Sequence, residues 1–218
     1  MQEATAKERL LKKIRKALLV KRDNPYPNLE ELPLYKQTDD EDAIEVTFAK
    51  HFTSVAGNFI FCEDEIQLAE GLIGITEKED VKKIYAWEEE VQAILDRYEF
   101  PYFKSDTDFV NAEVGVTTCE ALIARTGSIM VSNGNMAGRR LSIYPHVHVV
   151  IAYTSQIVMD LKDGFELVRN KYELSMPSMI STITGPSRTA DIEKTLVLGA
   201  HGPKQLYLLL LDDTIISC

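Results

Sequence analysis

Two segments of this chain, Val147–Tyr153 and Leu206–Leu211, are apolar with little interruption over the length of one β-strand. Neither approaches the ~20 residues of a membrane span, so each reads as a strand buried in a soluble core. Between Gly57 and Arg97 the pattern alternates. Asn58–Cys62 reads as a buried strand, Glu65–Leu72 as a helix, Val81–Trp87 as a second strand and Glu88–Arg97 as a second helix. Strand, helix, strand, helix implies parallel strands with helices packed on the sheet, because a parallel connection needs a crossover long enough to hold a helix. Further on, Gly115–Arg125 reads as helical after an initial turn. Gly127–Ser132 reads as a strand, Gly134–Arg140 as a polar loop, and Pro145–Tyr153 as a strand. Asp160–Tyr172 reads as a helix, Met179–Thr184 as a strand, Asp191–Leu198 as a short helix, and Leu206–Leu211 as the last strand. The fold class expected is α/β, a three-layer sheet with helices on both faces, plus an N-terminal helical extension.

That extension covers residues 1–56. Leu10, Leu11, Ile14, Ala17 and Leu18 recur at helical spacing among lysines and arginines, which predicts an amphipathic helix over residues 3–20. Its narrow stripe lacks aromatics, so it suits packing on the body or on a second subunit better than a membrane surface. Pro25, Pro27 and Pro33 and the acidic run Asp39–Asp42 then mark a linker, and a new helix is expected over Ala43–Val55. Residues 57–218 are expected to form the α/β domain.

Composition narrows the function classes. The 218 residues are 45% apolar, enough for one sizeable core. The net charge of −10 argues against a nucleic-acid binder, which needs a basic face for the phosphate backbone. Cys62, Cys119 and Cys218 are far apart, odd in number and contain no C-x-x-C pair, so neither a zinc site nor an iron–sulfur cluster is read in this chain. They read as reduced thiols of a cytoplasmic protein, and no signal peptide opens the chain. There is no P-loop, no G-x-G-x-x-G and no G-x-S-x-G, which removes the simplest routes to nucleotide hydrolysis, dinucleotide binding and serine hydrolysis.

Three segments carry candidate chemistry. In Ser132–Arg140, glycines such as Gly138 let backbone approach a ligand, and Arg139 and Arg140 offer planar forks to a carboxylate or phosphate. The alternative is a hairpin-type loop with solvated arginines. In Thr184–Glu193, a strand ends in Gly185–Pro186. Ser187, Arg188, Thr189 and Asp191 then precede the expected helix, whose N-terminus would suit an anion. Ser187 or Thr189 acting only as a helix cap is compatible with the same pattern. In Gly199–Lys204, His201 lies between glycines just before Pro203 and Lys204, a candidate acid–base or anion contact beside Gly202. His146 and His148 alternate along a strand and would share a face, but no cysteine or acid nearby completes a metal set.

The stretches Ile183–Glu193 and Leu196–Lys204 resemble the hallmark of the lactate-utilization protein C family. So do Glu120–Ser128, with Thr126 and Gly127, then Gly138–Ser142 and Pro145–His148. The resemblance, to its LUD domain, covers roughly residues 57–212. It implies a fold like ribose-5-phosphate isomerase, glucosamine-6-phosphate deaminase and the CoA-transferases. It also implies a part in oxidation of L-lactate to pyruvate beside partner proteins that hold iron–sulfur clusters, with no cofactor in this chain itself. In CoA-transferases of this fold class a glutamate is the nucleophile, and Glu120 lies in a comparable region. The expected catalytic residues are therefore Glu120 and His201, with the remaining named loop residues binding a small anionic ligand. The alternatives are a stand-alone enzyme of the same fold class acting on a small anionic metabolite, or a regulatory anion-binding module without chemistry. A homo-oligomer is compatible with all three.

Overall fold

The computed structural model describes residues 6–19, 42–105, 109–135, 137, 140–190, 196–199 and 201–213. The chain forms two units, Met1–Asp40 and Glu41–Cys218. In the first, α1 (Ala6–Leu18) carries Glu8 in its first turn and Arg15 and Lys16 in its last, charges that complement the helix dipole. The proline segment lies outside the described residues.

The second unit begins with α2 (Ile44–Ser54), β1 (Asn58–Cys62), α3 (Glu65–Lys78), β2 (Ile84–Ala86) and α4 (Glu89–Arg97). Then come β3 (Val114–Thr117), β4 (Ala121–Ile123), β5 (Ser128–Ser132), β6 (Val147–Tyr153), β7 (Ile157–Val158) and α5 (Leu161–Tyr172). The chain continues through β8 (Ile180–Ile183), β9 (Arg188–Ala190), β10 (Leu196–Leu198) and β11 (Gln205–Leu211). Asp64 starts α3 by accepting the Gln67 N–H at 2.8 Å, an N-cap of the usual kind.

Five strands form a parallel sheet in the order β1-β11-β6-β3-β2. The strict alternation of a strand assigns its side chains to two cores. Tyr207, Leu209 and Leu211 of β11 join Val147, Val149 and Ile151 of β6 against Leu68, Leu72 and Ile75 of α3 and Val91, Ile94 and Leu95 of α4. Leu206, Leu208 and Leu210 face the other way, against Phe48 and Phe52 of α2 and Leu122 and Ile129 of a second sheet. That sheet has the order β7-β4-β5-β8, with β4–β5 and β5–β8 antiparallel, and α5 covers its outer side through Val168. The α/β architecture with helices on both faces of a parallel sheet is therefore present. On one face α2 shares the layer with the second sheet, and it belongs to the α/β unit. Among the described residues no helix is long and apolar enough to cross a membrane.

Two expectations are corrected. Gly115–Arg125 is not helical: it supplies most of β3, a turn and β4, and β4 is held between β5 and β7. The end of the helix expected over Asp191–Leu198 is a strand instead. Leu196–Leu198 pairs antiparallel with Arg188–Ala190, leaving residues 191–195, outside the described residues, to connect the two strands.

Candidate functional site

The carboxyl ends of β2 and β3 carry a buried polar cluster centred on Glu120. Glu120 sits in the turn between β3 and β4, and its side chain is fully shielded from solvent. Three donors meet its carboxylate. Ser132 Oγ, at the end of β5, lies 2.5 Å from Oε1, Tyr172 OH lies 2.8 Å from the same oxygen, and Lys171 Nζ lies 2.8 Å from Oε2. Lys171 and Tyr172 are the last residues of α5, so a helix end delivers both, while the Lys171 side chain stays 51% exposed. Burial alone would lower the Lys171 ammonium, but the hydrogen bond and charge of Glu120 outweigh it and hold the group above the usual lysine range. Burial raises the Tyr172 phenol.

The cluster continues inward. The Asn135 amide lies 3.1 Å from Tyr172 OH and donates to Thr118 Oγ1 at 3.2 Å. The Thr118 N–H donates to Glu88 Oε2 at 2.6 Å. Glu88 follows Trp87 at the end of β2 and is buried, and this desolvation pushes its carboxyl above the usual range despite the Thr118 hydrogen bonds. Arg140 reaches the same edge, its guanidinium stacked 4.7 Å from the Trp87 ring and 5.2 Å from Phe109. Two carboxylates and a half-exposed ammonium are thus linked by hydrogen-bonding groups outside the strand ends, where ligands bind in open α/β sheets. Such an array can hold a small polar ligand and exchange a proton with it.

The terminal motif lies elsewhere. Gly185 has φ +83°, and a side chain there would meet the Val55 carbonyl at 2.2 Å. Arg188 is exposed, and its Nη2 donates to that same Val55 carbonyl at 2.9 Å. The Ser187 N–H donates to Pro203 O at 2.9 Å, the Gly199 N–H to Ser187 O at 3.0 Å, and the Lys204 N–H to His146 O at 2.8 Å. Gly202 packs against Ser187, and His201 is exposed in the same turn. Thr126 Oγ1, Ser128 Oγ and Thr184 Oγ1 form a chain with 2.7 Å links. Gly127, at φ +58°, lets α2 pass so closely that a side chain there would lie 2.3 Å from the Phe52 nitrogen. Thr189 contributes its backbone to the β9–β10 pair, and Gly138, Arg139 and Asp191 lie outside the described residues.

These two groups do not converge. In the antiparallel β5–β8 register, Ser132 faces Ile180 and Ile129 faces Ile183. The Asn133–Arg140 loop therefore leaves one end of that sheet, and Thr184–Arg188 leaves the other, roughly 10 Å away at the rise of a strand. In the parallel sheet the terminal motif adjoins the amino ends of β6 and β11, whereas Glu120 follows the carboxyl end of β3. The geometry brings Glu120 and Arg140 to one edge and Thr126, Gly127, Gly185, Ser187, Arg188, His201, Gly202 and Lys204 to the opposite region. Where hydroxyls after Ser187 were expected to lead into a helix N-terminus, Arg188–Ala190 forms a strand, and residues 191–195 lie outside the described residues.

His148 is fully buried, with Nε2 2.9 Å from Thr117 Oγ1, and its Nδ1 has no partner among the described residues. Burial drops its pKa to about 3, whereas His146 is exposed before the strand begins. No group of three potential metal-ligating side chains occurs among the described residues. Glu88, Thr118, Lys171 and Tyr172 were not singled out from the sequence. The one local signal is an acid, Glu88, placed directly after the apolar run that ends at Trp87.

Comparison with known proteins places this chain in a family. The pattern of the LUD domain matches residues 46–211. Lactate utilization protein C of Bacillus subtilis (strain 168) is 36% identical over 104 residues, covering 47% of this chain and 43% of that protein. Lactate utilization protein C 1 of Bacillus mycoides is 32% identical over 104 residues, covering 47% and 44%. An uncharacterized protein of Neisseria meningitidis serogroup B is 39% identical over 111 residues, covering 49% and 46%. Each of these matches thus spans less than half of the relative. The crystal structure of a DUF162 family protein from Deinococcus radiodurans superposes with a TM-score of 0.57 at 18% identity, over 77% of this chain and 96% of that one. With the domain pattern running from α2 to the end of β11, the chain belongs to the LUD domain family.

Proposed function

We propose that this protein is a component of a cytoplasmic L-lactate oxidation system, working beside partner proteins that carry iron–sulfur clusters. The observation that carries this reading is the LUD domain match over residues 46–211, joined to relatives named lactate utilization protein C. Oxidation of lactate to pyruvate releases two electrons and two protons. In this reading the electrons pass to clusters in the partners and this chain holds none. Cys62 and Cys119 are buried in the two different cores, too separated by the sheet to share a metal. In this reading the Glu120 cluster is the working site: Lys171 links the buried carboxylate to solvent, where a small anion arrives, Glu120 accepts one of the two protons and the other leaves to solvent.

The same buried carboxylate also favours a second reading, a stand-alone enzyme of this fold class acting on a small anionic metabolite. Turnover by the isolated chain would support that reading against the first.

The test uses cells whose growth on L-lactate depends on this protein. Glu120→Gln keeps the shape and most hydrogen bonds but removes the charge. It is expected to abolish that growth while the melting temperature stays within ~5 °C of wild type. Wild-type growth from the stable variant would remove Glu120 from the site. Co-purification from the native cell is expected to retrieve cluster-bearing proteins, and a chain that retrieves none would overturn the subunit reading.

A further inference from the structure

The parallel sheet ends at β1, which pairs with β11 on one side and with no strand on the other among the described residues. An edge strand of this kind offers a row of backbone donors and acceptors to another chain, and proteins usually blunt it with charge, proline or a bulge. The sequence Asn58-Phe59-Ile60-Phe61-Cys62 contains none of these. Apolar grooves flank the strand on both faces. One, of about 390 Å³, is lined by Val46 and Ala49 of α2 with Phe59 and Phe61, where Val46 is 44% and Phe61 46% exposed. The other, of about 460 Å³, is lined by Ile60, Gly71, Gly74 and Lys78. We propose that β1 is the seam of a homodimer, pairing antiparallel with the β1 of a second copy so that the two five-stranded sheets become one.

The case for a second copy, and not another partner, is self-complementarity. A two-fold axis through Ile60 sets Asn58 opposite the second copy's Cys62 and Phe59 opposite the second copy's Phe61. Phe59 and Phe61 lie on the same face because they are two residues apart, so two aromatic cross-strand pairs form by symmetry and fill the grooves beside α2. On the opposite face Gly71 lies against Ile60, where a Cβ would be 3.6 Å from Ile60 Cγ2, so the axis passes close to α3. Gly74 opens on empty space, with no atom within 4 Å of where a side chain would start. Two antiparallel copies of α3 can therefore approach closely there. Running antiparallel there, they set the half of one helix that carries exposed Glu70 against the half of the other that carries exposed Lys78. Backbone hydrogen bonding and the aromatic pairs match under one two-fold axis.

Light scattering on the full chain during size exclusion reads the result directly. Wild type is expected at twice the 24.6 kDa chain mass. Phe61→Glu sets a charge against the second copy's Phe59, and Gly74→Trp fills the α3 crossing while meeting only open space in a single copy. Each is expected to weaken the dimer by at least ~100-fold and leave a folded monomer by circular dichroism. If Phe61→Glu does not fold, Gly74→Trp alone decides. A wild-type chain that stays monomeric at ~1 mM, or a dimer that survives these changes, overturns the proposal. Amide exchange at residues 58–62 that slows only when a different protein is added would assign the edge to that protein and also overturn it.

Discussion

Arg188 shows how one residue changes meaning once its neighbour is known. In the sequence it stands among hydroxyls after Gly185–Pro186, a pattern that suits an anion. In the fold its guanidinium donates to the Val55 carbonyl just past the end of α2, and the same carbonyl is the reason Gly185 can carry no side chain. A positive group at a helix C-terminus is favoured by the dipole, so the contact has a structural rationale of its own. Arg188→Ala is therefore expected to lower unfolding free energy by about 1 kcal/mol, as for one partly exposed hydrogen bond, with lactate-dependent growth falling only in proportion. Urea denaturation beside a growth assay checks this. Loss of growth from a fully stable variant would return Arg188 to the binding machinery. Glu120 differs because its carboxylate is inside the protein, and a buried acid whose ammonium partner is half-exposed is a costly arrangement that suits proton chemistry.

His148 belongs to the scale of a strand, because the alternation of β6 turns it into a core. Its folded pKa of about 3 lies below the ordinary value of 6.5, and burial is the cause. The unfolded chain therefore binds a proton that the native chain refuses between these values. The stability from the neutral imidazole is complete above pH 6.5 and is lost as pH falls toward 3. Between pH 7 and pH 5 this loss is expected to be about 2 kcal/mol. Denaturation at both pH values should show a smaller drop for His148→Gln than for wild type, and equal drops would exclude His148 as the cause. The strands β1, β6 and β11 and the starts of α3 and α4 were legible because their apolar spacing is local. The strands β4 and β10 were not. Each is three residues long within a stretch that also fits a helix, and pairing with β5 and β9 decides the matter. The site was half legible for the same reason. Family resemblance pointed to Glu120, but its partners Lys171 and Tyr172 follow 51 and 52 residues later, beyond any local pattern.

Across the whole molecule the order of strands in space departs from their order in the chain. Among the described residues the first strand, β1, pairs in the parallel sheet only with β11, with Asn58 beside Tyr207 and Cys62 beside Leu211. The same β11 lies against β6 on its other side, so it fills a slot inside the sheet. Its leucines contribute to both cores, and without them α2 and α3 lose the surface on which they pack. A chain truncated after Lys204 is accordingly expected to lack a cooperative unfolding transition by calorimetry, although it keeps most of its helices by sequence. A well-defined transition near the wild-type temperature would contradict this. The consequence is one of timing. On the ribosome, β1 emerges early and waits for a partner some 150 positions downstream. The sheet cannot close until β11 is available, so folding is late, dominated by distant pairings, and slow for a domain of this size. Until then an apolar strand stands unpaired in the nascent chain, and chaperones that shield such edges during synthesis should govern how much of this protein a cell can make.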